Sequence, residues 1–249
     1  MKNLFIIFLF VFIIYLSTKF NNKYEYFSNN IEYVAWTGGF DSTYIICKFV
    51  LIDKKIVQPI YINPLNIDDC KNCSIKRKSK NKEIKTINNI INSIKQHKYY
   101  SNNLLPLIYI DTIKPNINIT NDILYKYKFF YRKYNQYDAL SRLSNQYKIF
   151  INIGFVDVNN YNSKFAIYLK KHLKLCDNNK NYRIVFKDNP LYYLKFPIAF
   201  FSKHDLLENS KKFNFDSILY MTWSCWFPKN NKACGKCPMC KERIIPQIY

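Results

Sequence analysis

The chain has 249 residues, enough for one sizeable domain with small additions. Nearly half of it is hydrophobic (49%), which suits a globular core and argues against disorder. The formal charge of +21 would suit a nucleic-acid or anionic-surface partner. The excess is almost all Lys, however, with Arg only at Arg77, Arg132, Arg142, Arg183 and Arg243. The basic residues form no single stripe, so a solvated surface with affinity for phosphate is favoured over a nucleic-acid groove.

The first segment in chain order is an unbroken apolar run from Leu4 to Leu16, flanked by Lys2 and Lys19. It ends without a small-x-small cleavage site, so an uncleaved membrane anchor over residues 1–20 is favoured over a signal peptide. Membrane attachment would then run through residues 4–20, and residues 21–30 read as a polar linker. The rest of the chain is expected to face the cytoplasm or to be cytoplasmic outright.

Ile31–Trp36 reads as a strand that enters a glycine turn, and Ser42–Leu51 as the helix that leaves it. Ile56–Ile62 is a second strand, and residues 63–82 a polar loop. Ile84, Ile87, Ile90, Ile91 and Ile94 recur at helical spacing and predict a helix from Glu83 to His97. Leu107–Ile110 is a third strand ending at Asp111, Tyr137–Tyr147 a helix, and Ile149–Ile153 a fourth strand closed by Gly154. Ser202 is the expected cap of a helix to about Lys212, and Ile218–Thr222 a last strand. The alternation predicts an α/β fold with a parallel, doubly wound, Rossmann-like sheet. Ligands bind such sheets beyond the C-terminal strand ends, where the Thr37 turn, Asp111 and Gly154 fall.

Thr37-Gly38-Gly39-Phe40-Asp41-Ser42-Thr43 is a recipe for holding phosphate. Gly38 and Gly39 admit oxygens close to the main chain. The free N–H groups of the following helix point at an anion, and Thr37, Ser42 and Thr43 supply hydroxyls. Asp41 suits Mg²⁺ or a cap. No Lys precedes the hydroxyl residue, so this is not a Walker A loop. The bland alternative is a structural turn, but the chain has only four Gly and two are adjacent here.

Four of the eight Cys, Cys225, Cys234, Cys237 and Cys240, are spaced as metal ligands. Four thiolates suit a closed, structural, tetrahedral Zn²⁺ site; an iron–sulfur cluster or disulfides are the alternatives. Cys70 and Cys73 form a lone Cys-x2-Cys, read as incidental.

The turn resembles the Ser-Gly-Gly-x-Asp-Ser signature of the PP-loop ATP pyrophosphatases, with Thr37 in the first position. Together with Trp223-Ser224-Cys225-Trp226 and the run from Cys234 to Arg243 it resembles the 7-cyano-7-deazaguanine synthase family. Phe196-Pro197-Ile198, Ser202 to Leu207, Asp138 to Arg142, Ile153-Gly154 and Asp157 add to the likeness. The resemblance implies a PP-loop (HUP-type) domain over residues 31–224 and a zinc-binding segment over residues 225–249. It implies an ATP-dependent carbon–nitrogen ligase that adenylates a small-molecule acid and takes ammonia as nucleophile. ATP would be held by Thr37 through Thr43 and Gly154. Asp41, Ser42 and Lys203 would be catalytic, with Mg²⁺ on the phosphates and Lys203 meeting their charge. The Pro, Asp, Cys and Arg that shape the family's deazapurine pocket are missing from Asp157–Phe165. Another PP-loop activity, such as tRNA thiolation or amidation, and a membrane-anchored zinc module binding nucleic acid are the competing functions. A homodimer is left open.

Overall fold

The computed structural model describes residues 31–63, 79–110, 136–160, 163–176 and 181–243. The expected anchor and linker, Cys70, Cys73 and Asp111 lie outside the described residues. Among those that are described, no helix is long and apolar enough to cross a membrane.

Among the described residues seven strands form one sheet: β1 (Ile31–Ala35), β2 (Ile56–Ile62), β3 (Ile108–Ile110), β4 (Ile151–Asn152), β5 (Leu173–Cys176), β6 (Asn181–Ile184) and β7 (Leu194–Lys195). Their order is β3-β2-β1-β4-β7-β6-β5. β2 runs parallel to β3, β1 to β4, and β4 to β7, with Tyr33 opposite Ile151 and Ile151 opposite Leu194. The expected parallel sheet needs one correction. β6 is antiparallel to both β5 and β7. Only residues 177–180 separate β5 from β6, too few for the crossover that a parallel pair requires.

The helices of the described residues are α1 (Phe40–Cys47), α2 (Lys80–Gln96), α3 (Gln136–Tyr147), α4 (Lys164–His172), α5 (Lys203–Lys212), α6 (Asp216–Tyr220) and α7 (Pro238–Lys241). The first six divide between the two faces of the sheet, and the period of two in the strands shows how. Val34 and Trp36 enter one core, shared with Ile45 and Ile46 of α1, Ile87, Ile90 and Ile94 of α2, Leu206 of α5 and Ile218 of α6. Their neighbours Tyr33 and Ala35 pack against a second core, with Leu140 and Leu143 of α3 and Ala166 and Leu169 of α4. β2 is split in the same way, Val57 and Tyr61 to the first core and Ile60 to the second. The sheet is therefore doubly wound.

α2 obeys the isoleucine stripe: Ile87, Ile90 and Ile94 are fully buried, each worth about 2 kcal/mol of transfer free energy. α1 does not run on regularly to Leu51. It opens into a π turn over Lys48–Ile52, closed by the Asp53 N–H on the Lys48 carbonyl at 2.9 Å. The wider turn buries three successive side chains, Phe49, Val50 and Leu51. Ser202 caps α5 as expected, with a reciprocal bond from its main-chain N–H to Asp205.

The expected last strand, Ile218–Thr222, is instead α6 and the turn after it. A five-residue apolar run does not distinguish strand from helix by periodicity. Asn214, at φ +60°, restarts the chain there, and the side chains of Ile218 and Leu219 are both buried in the first core.

Candidate active site

The glycine turn sits where β1 leaves the sheet. The Trp36 N–H still pairs with the Ile60 carbonyl at 2.8 Å, so the strand is held to β2 up to the residue before Thr37. Gly38 then turns the chain with φ +73°, in the left-handed region that disfavours any side chain. A Cβ on Gly38 would also lie 3.2 Å from Ile87 Cγ1 of α2. Gly39, extended at φ −78° and ψ 162°, is the N-cap of α1, and no side chain caps that end. The first N–H groups of α1 are thus left for an anion.

Gly154 follows β4 and lies against this helix end. A Cβ there would stand 2.6 Å from the Ser42 nitrogen and 2.9 Å from the Asp41 carbonyl carbon. Close approach of two main chains, rather than access for a ligand alone, makes glycine necessary here. A pocket opens beside the contact, lined by Ala35, Thr37, Ser42, Ile60, Leu140 and Gly154 among others. It lies at the C-terminal ends of the central strands, between β1 and β4, where the strand order reverses. Doubly wound sheets bind ligands at that point.

Asp41 and Lys203 face each other electrostatically across this end of the sheet. Asp41 Oδ1 is shut off from solvent and has no hydrogen-bond partner among the described residues. Burial pushes the Asp41 carboxyl up to about 6; Lys203 opposes the rise and Glu242 adds to it. A carboxylate oxygen buried without a donor beside a phosphate-type turn is the arrangement a hard cation would satisfy. Lys203, the first residue of α5, is held half-buried by its Nζ on the main-chain carbonyl of Glu242 at 3.2 Å. The segment that delivers it is pinned to the strand end after β4: the Asp157 N–H donates to the Phe201 carbonyl and the Val158 N–H to the Ala199 carbonyl.

Ser42 remains at the turn, its hydroxyl on the Gly39 carbonyl at 3.3 Å. Thr43 does not. Its side chain is fully buried and its Oγ1 accepts the Trp36 indole N–H at 2.9 Å. The expectation that Thr43 offers a hydroxyl to ATP is corrected on that ground: one residue further along α1 turns the side chain away from the loop and into the core. Phe40 is likewise buried in the first core, leaving only its main chain to the turn.

Cys225, Cys234, Cys237 and Cys240 bring their four sulfurs within 4.8 Å of one another. Sγ of Cys240 lies 3.4 Å from Cys237 and 3.9 Å from Cys234. Four thiolates at ~2.3 Å from one tetrahedral ion would be separated by ~3.8 Å, so the donor set fits a single metal ion. The N–H groups of Cys234 and Cys237 donate to the sulfurs of Cys225 and Cys234. N–H groups of Lys236 and Cys237 bring the Cys234 thiol down to about 6, whereas burial and the neighbouring sulfurs push Cys240 up to about 12. Gathering four thiolates costs repulsion that a bound cation relieves.

Reasoning from sequence missed how this cluster reaches the turn. The Trp223 N–H donates to the Gly38 carbonyl at 2.9 Å, and the Trp223 carbonyl lies 3.8 Å from where a Gly39 Cβ would stand. The Lys82 ammonium of α2 sits 4.8 Å above the Trp223 ring. Beside it, Glu83 is buried and accepts from Ser79 at 2.6 Å and Tyr61 at 2.8 Å, joining α2 to β2. The available signal was a Trp two residues before a metal-type Cys, in a chain with only three Trp.

A doubly wound sheet with a glycine turn after its central strand, no Walker lysine and a hydroxyl at the helix start is an arrangement suited to binding phosphate. Residues 138–245 match the family model described as QueC, Queuosine biosynthesis protein QueC. The match takes in the C-terminal part of the chain, which carries the QueC pattern. Among solved structures it is similar to the U34-tRNA thiolase NcsA from Methanococcus maripaludis with its 4Fe–4S cluster. The identity is 13% and the TM-score 0.39, over 86% of this chain and 63% of that one, so the chain spans less than two thirds of that structure's length. No curated protein matches the sequence.

Proposed function

We propose that the chain is an ATP-dependent carbon–nitrogen ligase of the 7-cyano-7-deazaguanine synthase type. The observation that carries the reading is the meeting of Gly154 with the Asp41–Ser42 main chain, beside a buried, unpartnered Asp41 oxygen and the Lys203 ammonium. The N–H groups opening α1 would bind the departing pyrophosphate, with the Ser42 hydroxyl beside them. Lys203 would meet the charge that develops there, and fixed charge of that kind is worth most where water is excluded. Mg²⁺, met by Asp41, would supply charge neutralisation on the phosphates. Zn²⁺ would be held by the four cysteines as a structural ion, with no open ligand position.

In this reading a carboxylate oxygen of the substrate attacks the α-phosphorus of ATP, and the bond to pyrophosphate breaks. Ammonia then attacks the acyl carbon, AMP leaves with the former carboxylate oxygen, and nitrogen loses a proton. A second ATP activates the amide oxygen in the same way, and loss of AMP and protons leaves a nitrile. The lining of the pocket by Ala35, Ile60 and Leu140 suits a flat heterocycle more than a charged chain.

The test is turnover with carboxydeazaguanine, ATP, Mg²⁺ and ammonium. AMP and pyrophosphate are expected only when the acid is present, and Asp41→Ala should abolish their release. Metal-loaded protein that binds no ATP in the presence of Mg²⁺ overturns the reading. AMP formation that requires tRNA and a sulfur donor instead would keep the class and change the substrate.

A further inference from the structure

The cysteine cluster and the glycine turn are far apart in sequence, yet the entering side of the cluster is fastened to the turn and the leaving side is tied back to the entering side and to Lys203. On the entering side, the Trp223 N–H holds the Gly38 carbonyl at 2.9 Å, and the Trp223 indole N–H donates to the carbonyl of Cys225 at 2.8 Å. On the leaving side, the Glu242 carbonyl receives Lys203, and the Arg243 guanidinium donates to the Thr222 carbonyl at 2.8 Å. Residues 222–223 and 242–243 therefore close a loop whose interior is cross-linked by whatever the four sulfurs hold. Trp223 is the part of that loop that touches the turn.

We propose that Trp223 is a positioning residue that transmits metal occupancy of the cysteine cluster to the geometry of the glycine turn. With Cys225 fixed, the Cys225 carbonyl orients the indole, and the Lys82 ammonium over the ring holds its other side. The main chain of Trp223 then presents its N–H to Gly38, the residue whose left-handed backbone aims the following N–H groups. Losing the cross-link frees Cys225, and the turn loses the bond that fixes its entry. The metal is thereby a condition for phosphate binding without touching nucleotide. The inference rests on the reading of the turn as the ATP-phosphate site, and one of its readouts uses no nucleotide.

The experiment compares wild type, Trp223→Ala, Trp223→Phe and Lys82→Gln, each zinc-loaded and chelated. It follows amide exchange at Gly39–Thr43 and the binding of α,β-methylene-ATP with Mg²⁺. Chelation of wild type is expected to speed exchange at the turn and weaken analogue binding by about tenfold, the loss of roughly one buried hydrogen bond. Amides of Ile87–Ile94 in α2 should stay protected. Trp223→Ala should bind as much zinc as wild type yet show the loosened turn already, and chelation should add less than about twofold. Trp223→Phe, which keeps the ring but not its donor, should fall between. Equal effects of chelation in wild type and Trp223→Ala overturn the proposal, as does a wild-type turn indifferent to zinc. Should chelation unfold α2 as well, zinc-loaded Lys82→Gln decides: faster exchange at the turn of about two- to threefold supports the proposal, and none overturns it. Coupled exchange without analogue binding would leave this inference standing and remove the assigned function; analogue binding without coupling would do the reverse.

Discussion

A Cβ on Gly154 would lie 2.6 Å from the main-chain nitrogen of Ser42, a separation real side chains do not adopt. The obstacle is main chain, which cannot rotate out of the way. The substitution Gly154→Ala must therefore push the end of β4 from the start of α1. We expect a loss of about 1–3 kcal/mol in denaturant unfolding, as for other overpacked sites. ATP-analogue binding should fall more steeply than stability, because the displaced N–H groups are those that would receive phosphate.

Asp41 makes stability depend on pH in a direction opposite to that of most carboxylates. Its carboxyl is raised from 3.8 to about 6, chiefly by burial. Between those values the folded chain holds more protons than the unfolded one. The stabilisation of the protonated form is complete below pH ~4 and is lost as pH rises through ~6. The full span is worth on the order of 3 kcal/mol. Asp41→Asn should remove this slope and be the more stable protein at pH 7 in urea titrations, while losing nucleotide turnover.

Neighbouring hydroxyls in α1 should separate cleanly. Thr43→Val leaves the buried Trp36 indole N–H without its acceptor, which costs about 1–3 kcal/mol. Its effect on turnover of the folded fraction should be small. Ser42→Ala touches no buried partner and should leave the melting temperature within about 2 °C, while lowering turnover by at least tenfold. Thermal unfolding and initial rates on the same preparations check both.

The sulfur geometry predicts the metal content. One divalent ion per chain and no acid-labile sulfide are expected by elemental analysis, because the Cys237–Cys240 separation of 3.4 Å suits ligands of one ion. Chelation should lower the melting temperature, and Cys237→Ser should do so without chelator. Four irons with equivalent sulfide would contradict the assignment.

Much of this was legible because local chemistry and tertiary role coincide. The turn at Gly38 and Gly39 needs the backbone freedom that the sequence advertises, and the isoleucines of α2 mark its buried face. The spacing of the four cysteines foretold their meeting. The misread parts are those where one string of residues serves two structures. Ile218–Thr222 is apolar and short, and only its place beside α5 makes it helical. Thr43 looks like another phosphate hydroxyl until Trp36 is found beside it. From sequence alone no element is assigned to β5 or β6, which take their antiparallel pairing from a short connection. Trp223 acts through its main chain, which no residue type announces.

At the other end of β1, Glu32 is half-buried and paired with Lys55 at 2.7 Å and Lys195 at 3.3 Å. The Asn152 amide donates to it at 2.9 Å. Burial alone would raise its carboxyl, but Lys195, Lys55 and Asn152 together hold it below the usual range. One carboxylate thus rivets β1 to β4, to β7 and to the residue before β2. From Glu32 to Gly38 is six residues, roughly 20 Å of strand. A lesion at Glu32 would slide the strand that carries the turn, and an assay would record it as a defect in nucleotide handling. Under the proposed function, Glu32 would act on the rate from the far end of the strand, through the position of the turn alone.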